Sequence, residues 1–250
     1  MTLSGAFTPQ MIVLLAGALV GGIIQGLSGF GFGMVAMSIW IWGLDPHEAL
    51  VLTVFGGLCG QALSAVTVRS TIPVRRFLPF VVGGLVGVPL GTWLLPHLGD
   101  EALKRLVGAL LAVGCPLMLF VPGAIRVRAS GDALDGAAGL AGGVIGGMSG
   151  FTAIAPALWS TARGYDKQAQ RALLQNFNLV ALAAVFVMLV WRGVVTAQML
   201  PHLGIVAVAA IVPVIIGTRI YRRLSDAAFR RIVLGMLTFA GVAILATTLR

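Results

Sequence analysis

Long apolar runs dominate the chain, and short polar or basic stretches separate them. Six runs are unbroken: they lie at about 49–68, 77–96, 106–121, 172–191, 198–218 and 232–249. Most are close to the roughly 20 residues that a transmembrane helix needs. Two further apolar stretches, 9–42 and 136–162, are interrupted inside by glycine, serine and phenylalanine. The pattern predicts an all-α membrane protein with six spanning helices and two broken helices.

The composition agrees with a membrane protein and argues against other classes. The chain has 250 residues, of which 58% are hydrophobic and 10% charged, whereas a soluble domain carries about 25% charged residues. The apolar runs are continuous rather than alternating, which favours helices over a β-barrel. The net charge of +9 comes from basic residues in short loops, and membrane topology explains these residues better than nucleic-acid binding does.

The two interrupted stretches carry the same signature. Residues 21–30 read GGIIQGLSGF and residues 142–151 read GGVIGGMSGF, with seven of ten positions identical at an offset of 121. The later segments 100–107 and 226–233 also match, at an offset of 126. The repeat predicts one transmembrane domain with two homologous halves and a linker: about 1–121, about 136–250, and 122–135 between them.

The distribution of Lys and Arg predicts how the broken stretches sit in the membrane. If each stretch crosses once, the chain has eight spans, and the two sides hold 10 and 7 basic residues. If each stretch enters and returns to the side it left, the division is 13 to 4, which the positive-inside rule favours. The segment 136–147 before the second break would be about 18 Å long, too short to cross. The halves would then be inverted repeats with re-entrant broken helices, and both termini would face outside.

Two glycine-rich segments and two charged tails carry a family resemblance. The segments are GLSGFGFG at 26–33 and GMSGFTAIAP at 147–156, and the tails are 100–107 and 226–233. Together they resemble the sulfite exporter TauE/SafE family of small bacterial permeases. The first half departs from the family pattern because it lacks the proline that usually follows the turn, and Phe151-Thr-Ala stands in the second half where more glycines are usual.

The resemblance implies a secondary transporter in the bacterial inner membrane, most simply an exporter. The implied substrate is a small anion such as sulfite, sulfoacetate or another sulfonate. The expected partners are this anion and the lipid bilayer; no cofactor, metal or nucleic acid is expected. Whether the chain forms a homo-oligomer stays open, as do the direction of transport and the coupling ion.

The breaks are the predicted binding site. A break leaves backbone N–H and C=O groups without partners, and in a membrane these persist only where protein or a cavity satisfies them. The N-terminus of a half-helix favours an anion, and polar residues inside apolar runs are expected to face the same cavity. The candidate substrate-binding residues are Ser28, Gly29, Phe30, Gly31, Phe32, Gly33, Gln61, Ser149, Gly150, Phe151, Thr152, Arg171, Gln175, Asn176 and Asn178.

Other interpretations of the breaks stay open at this level. Glycine and serine runs also let membrane helices pack closely, and glycine loops also build channel filters, so an anion channel is the main alternative to a carrier. The GLSG and GMSG segments fit the GxSG pattern of rhomboid proteases, but such an enzyme needs a histidine base on another span. No histidine lies within the middle of a predicted span, and we expect the chain not to be an enzyme.

Overall fold

The structure is a computed structural model and describes residues 8–67, 73–120, 131–221 and 226–248. All regular elements within these ranges are helical. The first half contains α1 (Pro9–Ser28), α2 (Phe32–Trp40), α3 (Pro46–Thr67), α4 (Val74–Leu94) and α5 (Asp100–Phe120). The second half contains α6 (Asp132–Ser149), α7 (Ile154–Ala162), α8 (Lys167–Trp191), α9 (Leu200–Tyr221) and α10 (Asp226–Thr248). The prediction of a broken helix followed by three long helices in each half is confirmed for element order.

The third helix of each half begins with the same cap. Oδ1 of Asp45 accepts hydrogen bonds from the N–H groups of His47 and Glu48, both at 3.0 Å. Oδ1 of Asp166 accepts one from the N–H group of Ala169 at 2.8 Å. Because an aspartate at this position satisfies N–H groups that the helix itself leaves free, both helices have a defined start. The caps fix α3 and α8 at equivalent points of the repeat.

The first broken stretch forms a helical hairpin. Helix α2 returns along α1, so that Ala36 packs against Gly21 and the Trp40 ring packs against Gly17. The indole Nε1 of Trp40 donates a hydrogen bond to the carbonyl oxygen of Leu14 at 3.0 Å. Trp40 is fully buried, so this bond ties the end of α2 to the early turns of α1. The end of α2 therefore lies beside the first half of α1.

The second hairpin closes on a buried ion pair. Oδ1 of Asp135 accepts hydrogen bonds from Nε1 of Trp159 at 2.6 Å and from Nη1 of Arg163 at 2.7 Å. Asp135 is 5% exposed, and its burial is tolerated because the charge is paired and hydrogen-bonded. These bonds hold the end of α7 beside the start of α6.

The start of α6 corrects one prediction. The helix begins at Asp132 and has 18 residues, which corresponds to about 27 Å at 1.5 Å per residue. The sequence estimate counted only 136–147, because charged residues at 132 and 135 broke the apolar pattern. Asp135 belongs to the helix since Arg163 and Trp159 satisfy its carboxylate. The helix before the second break is therefore longer than the sequence estimate of about 18 Å.

Glycines bring helices from different halves into close parallel contact. Helix α1 packs on α9, and its counterpart α6 packs on α4 in the same way. The contacts that give the direction are Gly22 with Ala210 and Pro213, Gly26 with Val214 and Gly217, Gly83 with Gly136, Gly87 with Leu140, and Gly91 with Val144 and Gly147. A side chain at most of these glycines would overlap the facing backbone, so the two backbones approach as small-residue membrane interfaces allow.

Helices at equivalent positions in the two halves also contact each other, but these pairs run antiparallel. Helix α5 packs on α10, and α3 packs on α8. The contacts that give the direction are Gly108 with Gly241, Arg105 with Thr248, Phe55 with Phe186, and Gly57 with Leu182. In both helix pairs the residue number rises along one helix as it falls along the other. The two halves are thus joined by two antiparallel pairs of equivalent helices and by the parallel pairs α1 with α9 and α4 with α6.

Five helices in the described ranges are long and apolar enough to cross a membrane. They are Pro9–Ser28, Pro46–Ala65, Val74–His97, Gln168–Trp191 and Ala197–Ile220. Four of them correspond to predicted spanning helices, and the first belongs to the broken stretch. Helices α5 and α10 have 21 and 23 residues, or about 31 and 34 Å.

The outer faces of the bundle are apolar. Helix α4 exposes Val82 and Val86, and helix α9 exposes Val208 and Val212, each more than half accessible. In water such a surface would be unfavourable, whereas lipid tails accept it. The chain is therefore a multi-pass membrane protein.

Candidate functional site

Each break begins at a glycine in the left-handed conformation. Gly29 has φ 83° and ends α1, and Gly150 has φ 77° and ends α6. The N–H group of Gly29 donates to the carbonyl oxygen of Gln25 at 2.8 Å, and that of Gly150 donates to Gly146 at 2.7 Å. Because residues with a Cβ are disfavoured at such φ values, glycine is the residue that ends both helices at the same point.

The serines before these glycines use their hydroxyl groups inside the breaks. Oγ of Ser28 donates to the carbonyl oxygen of Ile24 at 2.8 Å and accepts from the N–H group of Gly31 at 3.0 Å. Oγ of Ser149 donates to Ile145 at 2.7 Å and accepts from Phe151 at 3.3 Å. A hydroxyl has one hydrogen to donate, so in this structure neither serine has a donor left for a ligand.

The two breaks meet at one small cavity in the interior of the bundle. Its volume of about 10 Å³ gives room for about one water molecule. It is bordered by parts of both hairpins and by the middle turns of α3 and α8. The lining residues are Gln25, Phe30, Phe32, Gly33, Met34, Thr53, Gly57, Gly150, Phe151, Thr152, Ala153, Ile154, Asn178 and Leu182.

The N-termini of both short helices border this cavity. Gly33 and Met34 lie in the first turn of α2, and Ile154 is the first residue of α7. The residues before these helices, Gly31 and Ala153, make no capping hydrogen bond with a side chain. The first N–H groups of a helix have no acceptor within the helix and carry a partial positive charge. The cavity is thus flanked by two sites that favour negative charge.

The polar side chains that line the cavity are all neutral. Oγ1 of Thr152, in the second break, donates to Oδ1 of Asn178 on α8 at 2.6 Å. Thr53 contributes a hydroxyl from α3, which lies 3.6 Å from the sulfur of Met37. The remaining polar side chain is that of Gln25 on α1. No aspartate, glutamate, lysine, arginine or histidine belongs to the lining within the described ranges.

A second group of predicted residues lies beside the first break rather than around the cavity. Nε2 of Gln61 donates to the carbonyl oxygen of Gly29 at 2.8 Å, and Gln61 is fully buried. The side chain of Arg171 runs along the same glycine, where a Cβ would lie 3.5 Å from its Nε. Gln61 therefore satisfies a carbonyl that the break leaves free, and it supports the turn from α3.

The predicted residues thus separate into two sets. Seven border the cavity: Phe30, Phe32, Gly33, Gly150, Phe151, Thr152 and Asn178. Eight do not: Ser28, Gly29, Gly31, Gln61, Ser149, Arg171, Gln175 and Asn176. Of the second set, Gln175 is buried on α8, and Nδ2 of Asn176 donates to Ala172 one turn earlier at 2.8 Å.

Sequence reasoning missed several residues of the cavity wall. Gln25 had a usable signal, since an amide in an apolar run is costly without a partner. Thr53, Gly57 and Leu182 had none, because threonine, glycine and leucine are ordinary in membrane helices. Gly57 and Asn178 occupy equivalent positions of the repeat. The cavity wall therefore has an amide side chain on α8 at the point where α3 has no side chain.

One further cluster of potential ligand groups lies at the N-terminal end of α3. Ligand atoms of Asp45, His47 and Asp100 lie within 4.8 Å of one another. Nδ1 of His47 is 3.2 Å from Oδ1 of Asp100, and Asp45 caps α3. These exposed or half-exposed groups are used in a cap and an ion pair, and we interpret the cluster as surface structure rather than as a metal site.

The comparison with known families agrees with this geometry. A family model described as "Sulfite exporter TauE/SafE" matches residues 13–244, nearly the whole chain and both hairpins. No curated protein and no solved structure matches the chain. The family is one of transporters rather than enzymes, which agrees with the expectation that this chain is not an enzyme. The chain belongs to the sulfite exporter TauE/SafE family of membrane transport proteins.

Proposed function

We propose that this protein is a secondary transporter that exports a small sulfur-containing anion across the bacterial inner membrane. The substrate class is sulfite, sulfoacetate or another sulfonate. The anion binds in the central cavity between the two breaks. The observation that carries the proposal is that the N-termini of two short helices border one cavity, which no charged residue lines in the described ranges. One of their N–H groups, that of Phe32, is satisfied by Gln25.

Neutral donors suit a transporter because binding must be reversible. A lysine or arginine buried beside the anion would form a strong ion pair that slows release, whereas helix N-termini and amides give weaker attraction. In this proposal Asn178 contacts the anion and the Thr152 hydroxyl orients the Asn178 amide, with Gly33 and Gly150 letting the backbone approach the anion. Ser28, Ser149 and Gln61 hold the breaks in shape, and Arg171 attracts anions toward the first break.

The size of the cavity implies a conformational change during transport. Space for about one water molecule does not admit an anion of four or more heavy atoms. Binding therefore requires the two hairpins, or the helices around them, to move apart. In other transporters built from repeats, one repeat rocks against the other and so opens and closes access to a fixed binding site.

We further propose that the halves are inverted repeats and that the hairpins are re-entrant. The antiparallel pairs α3 with α8 and α5 with α10 support inversion, because a two-fold axis in the membrane plane relates equivalent helices in opposite directions. The return of α2 along α1 and of α7 along α6 supports re-entry. Together with the bias of 13 to 4 basic residues, this arrangement puts both termini outside the cytoplasm.

Cysteine labelling tests this topology. In a variant without the native cysteines, single cysteines at Thr8, Asp45 and Gly99 should react with an impermeant maleimide in intact cells. Cysteines at Val74 and Asp132 should react only after the membrane is permeabilised. Opposite locations for Thr8 and Asp45 would contradict re-entry of the first hairpin. The same location for Gly99 and Val74 would contradict the crossing of α4.

A cleft of mixed charge lies at the proposed cytoplasmic end. It has a volume of about 560 Å³, and its charged lining residues are Arg75, Arg76, Arg163, Asp132, Asp135 and Asp166. The three aspartates balance the three arginines, so the described part of the lining carries no net charge that would collect anions. We therefore assign this cleft no role in substrate binding.

Flux into proteoliposomes tests the function directly. We expect the purified protein to accelerate uptake of radiolabelled sulfite or sulfoacetate in a saturable manner. Unlabelled substrate on the far side should stimulate this uptake by exchange. Protein-free liposomes are the control, and choline and glycerol are the solutes that should not be transported. Transport of cations or neutral solutes alone would refute the proposal, and large single-channel currents without exchange would identify an anion channel instead.

A further inference from the structure

Gln25 occupies an unusual place in the cavity wall. It lies on α1 one turn before the break, and it is 1% exposed. Its Oε1 accepts a hydrogen bond from the N–H group of Phe32 at 3.1 Å. Because an N–H donor faces Oε1, the orientation of the amide is determined by the bond itself. The NH₂ group must therefore point away from the start of α2.

The Nε2 atom of Gln25 has no hydrogen-bond partner in the described part of the chain. It carries two hydrogens, and leaving a buried donor unpaired is unfavourable. The same side chain borders the central cavity, which is large enough for one small polar group. The donor is thus available to a water molecule or to an oxygen atom of a ligand.

The fold itself does not demand an amide at this position. The equivalent of Gln25 in the second half is Gly146, and the side chain of Thr152 packs into the space beside it. Conversely, the equivalent of Thr152 in the first half is Gly31. Gln25, on α1, fills this space in the first half, and Thr152, in the break, fills it in the second half. An apolar side chain could also fill this space, so packing alone does not account for the amide; its Oε1 accepts from the Phe32 N–H group, and its Nε2 is left as a further donor.

Gln25 shares its chemistry with Asn178. The carbonyl oxygen of Gln25 is engaged by the Phe32 N–H group, and that of Asn178 is engaged by the Thr152 hydroxyl. Both side chains border the cavity and are at least 98% buried. One donor already faces each carbonyl oxygen, so the NH₂ group is the part of each amide that would meet an anion.

We infer that Gln25 is a substrate-binding and specificity-determining residue. Its Nε2 donates to one oxygen of the anion while Asn178 donates to another. This pair favours deprotonated oxyanions such as sulfonates, because each NH₂ group donates to an oxygen that carries negative charge, and such bonds are stronger than those to a neutral oxygen. The inference rests on the proposed function and names the chemistry of the same site.

Two variants of Gln25 test the inference in proteoliposomes with sulfoacetate, whose sulfonate stays ionised across the pH range used. Gln25→Leu removes the donor at similar volume and should raise KM by about 10- to 100-fold, as loss of a hydrogen bond to a charged group does. Gln25→Glu keeps an acceptor for the Phe32 N–H group. Its carboxylate should repel the anion at neutral pH, and its protonated form should donate again, so transport should recover as the pH falls.

Gln170→Leu is the matched control, because Gln170 is an amide on α8 that donates to Oγ1 of Thr161 at 2.6 Å and lies outside the cavity wall. It should lower thermal stability while changing KM less than threefold, a range we set from the absence of a direct contact. If wild-type protein transports sulfoacetate and Gln25→Leu keeps its KM, the inference is wrong and the proposed function stands. If Gln25→Leu does not fold, a flat pH profile of Gln25→Glu overturns the inference. If the wild-type protein transports no anion, the proposed function itself fails.

Discussion

Gly91→Ala and Gly217→Ala should each prevent stable folding or lower the melting temperature strongly. Both glycines lie where two helices cross, and they occupy equivalent positions of the repeat. A Cβ at Gly91 would overlap the carbonyl oxygen of Val144, and one at Gly217 would overlap that of Ile23. Overpacking costs about 1–3 kcal/mol where side chains can adjust. At these two glycines the overlapping atom belongs to the backbone, so the helices must move apart. We therefore expect a destabilisation at the upper end of this range or above it.

Gly204→Ala is the matched control for these variants. Gly204 lies in α9 like Gly217, but no atom lies within 4 Å of the position that its Cβ would take. Alanine favours the helix over glycine by about 1 kcal/mol, so this variant should be as stable as the wild type or slightly more stable. Thermal unfolding in detergent, followed by the loss of the monodisperse peak, measures all three. Equal stability of Gly91→Ala and Gly204→Ala would show that α4 and α6 are not packed as described.

The sequence predicted that the two breaks occupy equivalent positions in the two halves. The equivalence of the two breaks followed from identical residues at a constant offset, and the structure brings Gly33 and Gly150 to one cavity. This succeeded because a left-handed glycine after a serine ends a helix by local geometry alone. Helix order and the caps at Asp45 and Asp166 are local features of the same kind.

The sequence did not reveal which donors reach the cavity. Ser28 and Ser149 looked like ligands for an anion, yet each donates to a carbonyl oxygen of its own helix. A serine four residues after a free carbonyl always has this acceptor nearby. Gln25, by contrast, faces the cavity because Phe32 follows it across the break. Such an orientation depends on the path of the hairpin, which no residue pattern within α1 encodes.

The early start of α6 illustrates a related difficulty. Asp132 and Asp135 interrupt the apolar pattern, so the sequence placed the boundary after them. The structure continues the helix through both residues because Arg163, 28 positions later, supplies the opposite charge. A pairing across the hairpin overrides the local pattern. Helix ends are therefore least predictable where buried charges mark them.

Asn178→Leu should cause the largest loss of transport among variants that fold. The substitution removes an amide that borders the cavity at nearly constant volume. It also leaves the Thr152 hydroxyl without its acceptor at 2.6 Å. We expect kcat/KM for sulfoacetate to fall by about 100-fold, since a hydrogen bond to a charged ligand and a buried bond within the protein are lost together. Asn176→Leu is the control, because Asn176 lies on the same helix and donates to Ala172 outside the cavity wall.

Thr152→Val should be less harmful, and the double variant should show why. Valine removes the hydroxyl and leaves Oδ1 of Asn178 unpaired, so the amide loses its fixed orientation, and transport should fall by about 10-fold. If the hydroxyl acts only by orienting Asn178, the double variant should lose about 100-fold, as Asn178→Leu does alone, rather than the 1,000-fold expected for independent sites. A loss near 1,000-fold would mean that the Thr152 hydroxyl contacts the anion separately. Wild-type transport in Asn178→Leu would move the binding site away from the two breaks.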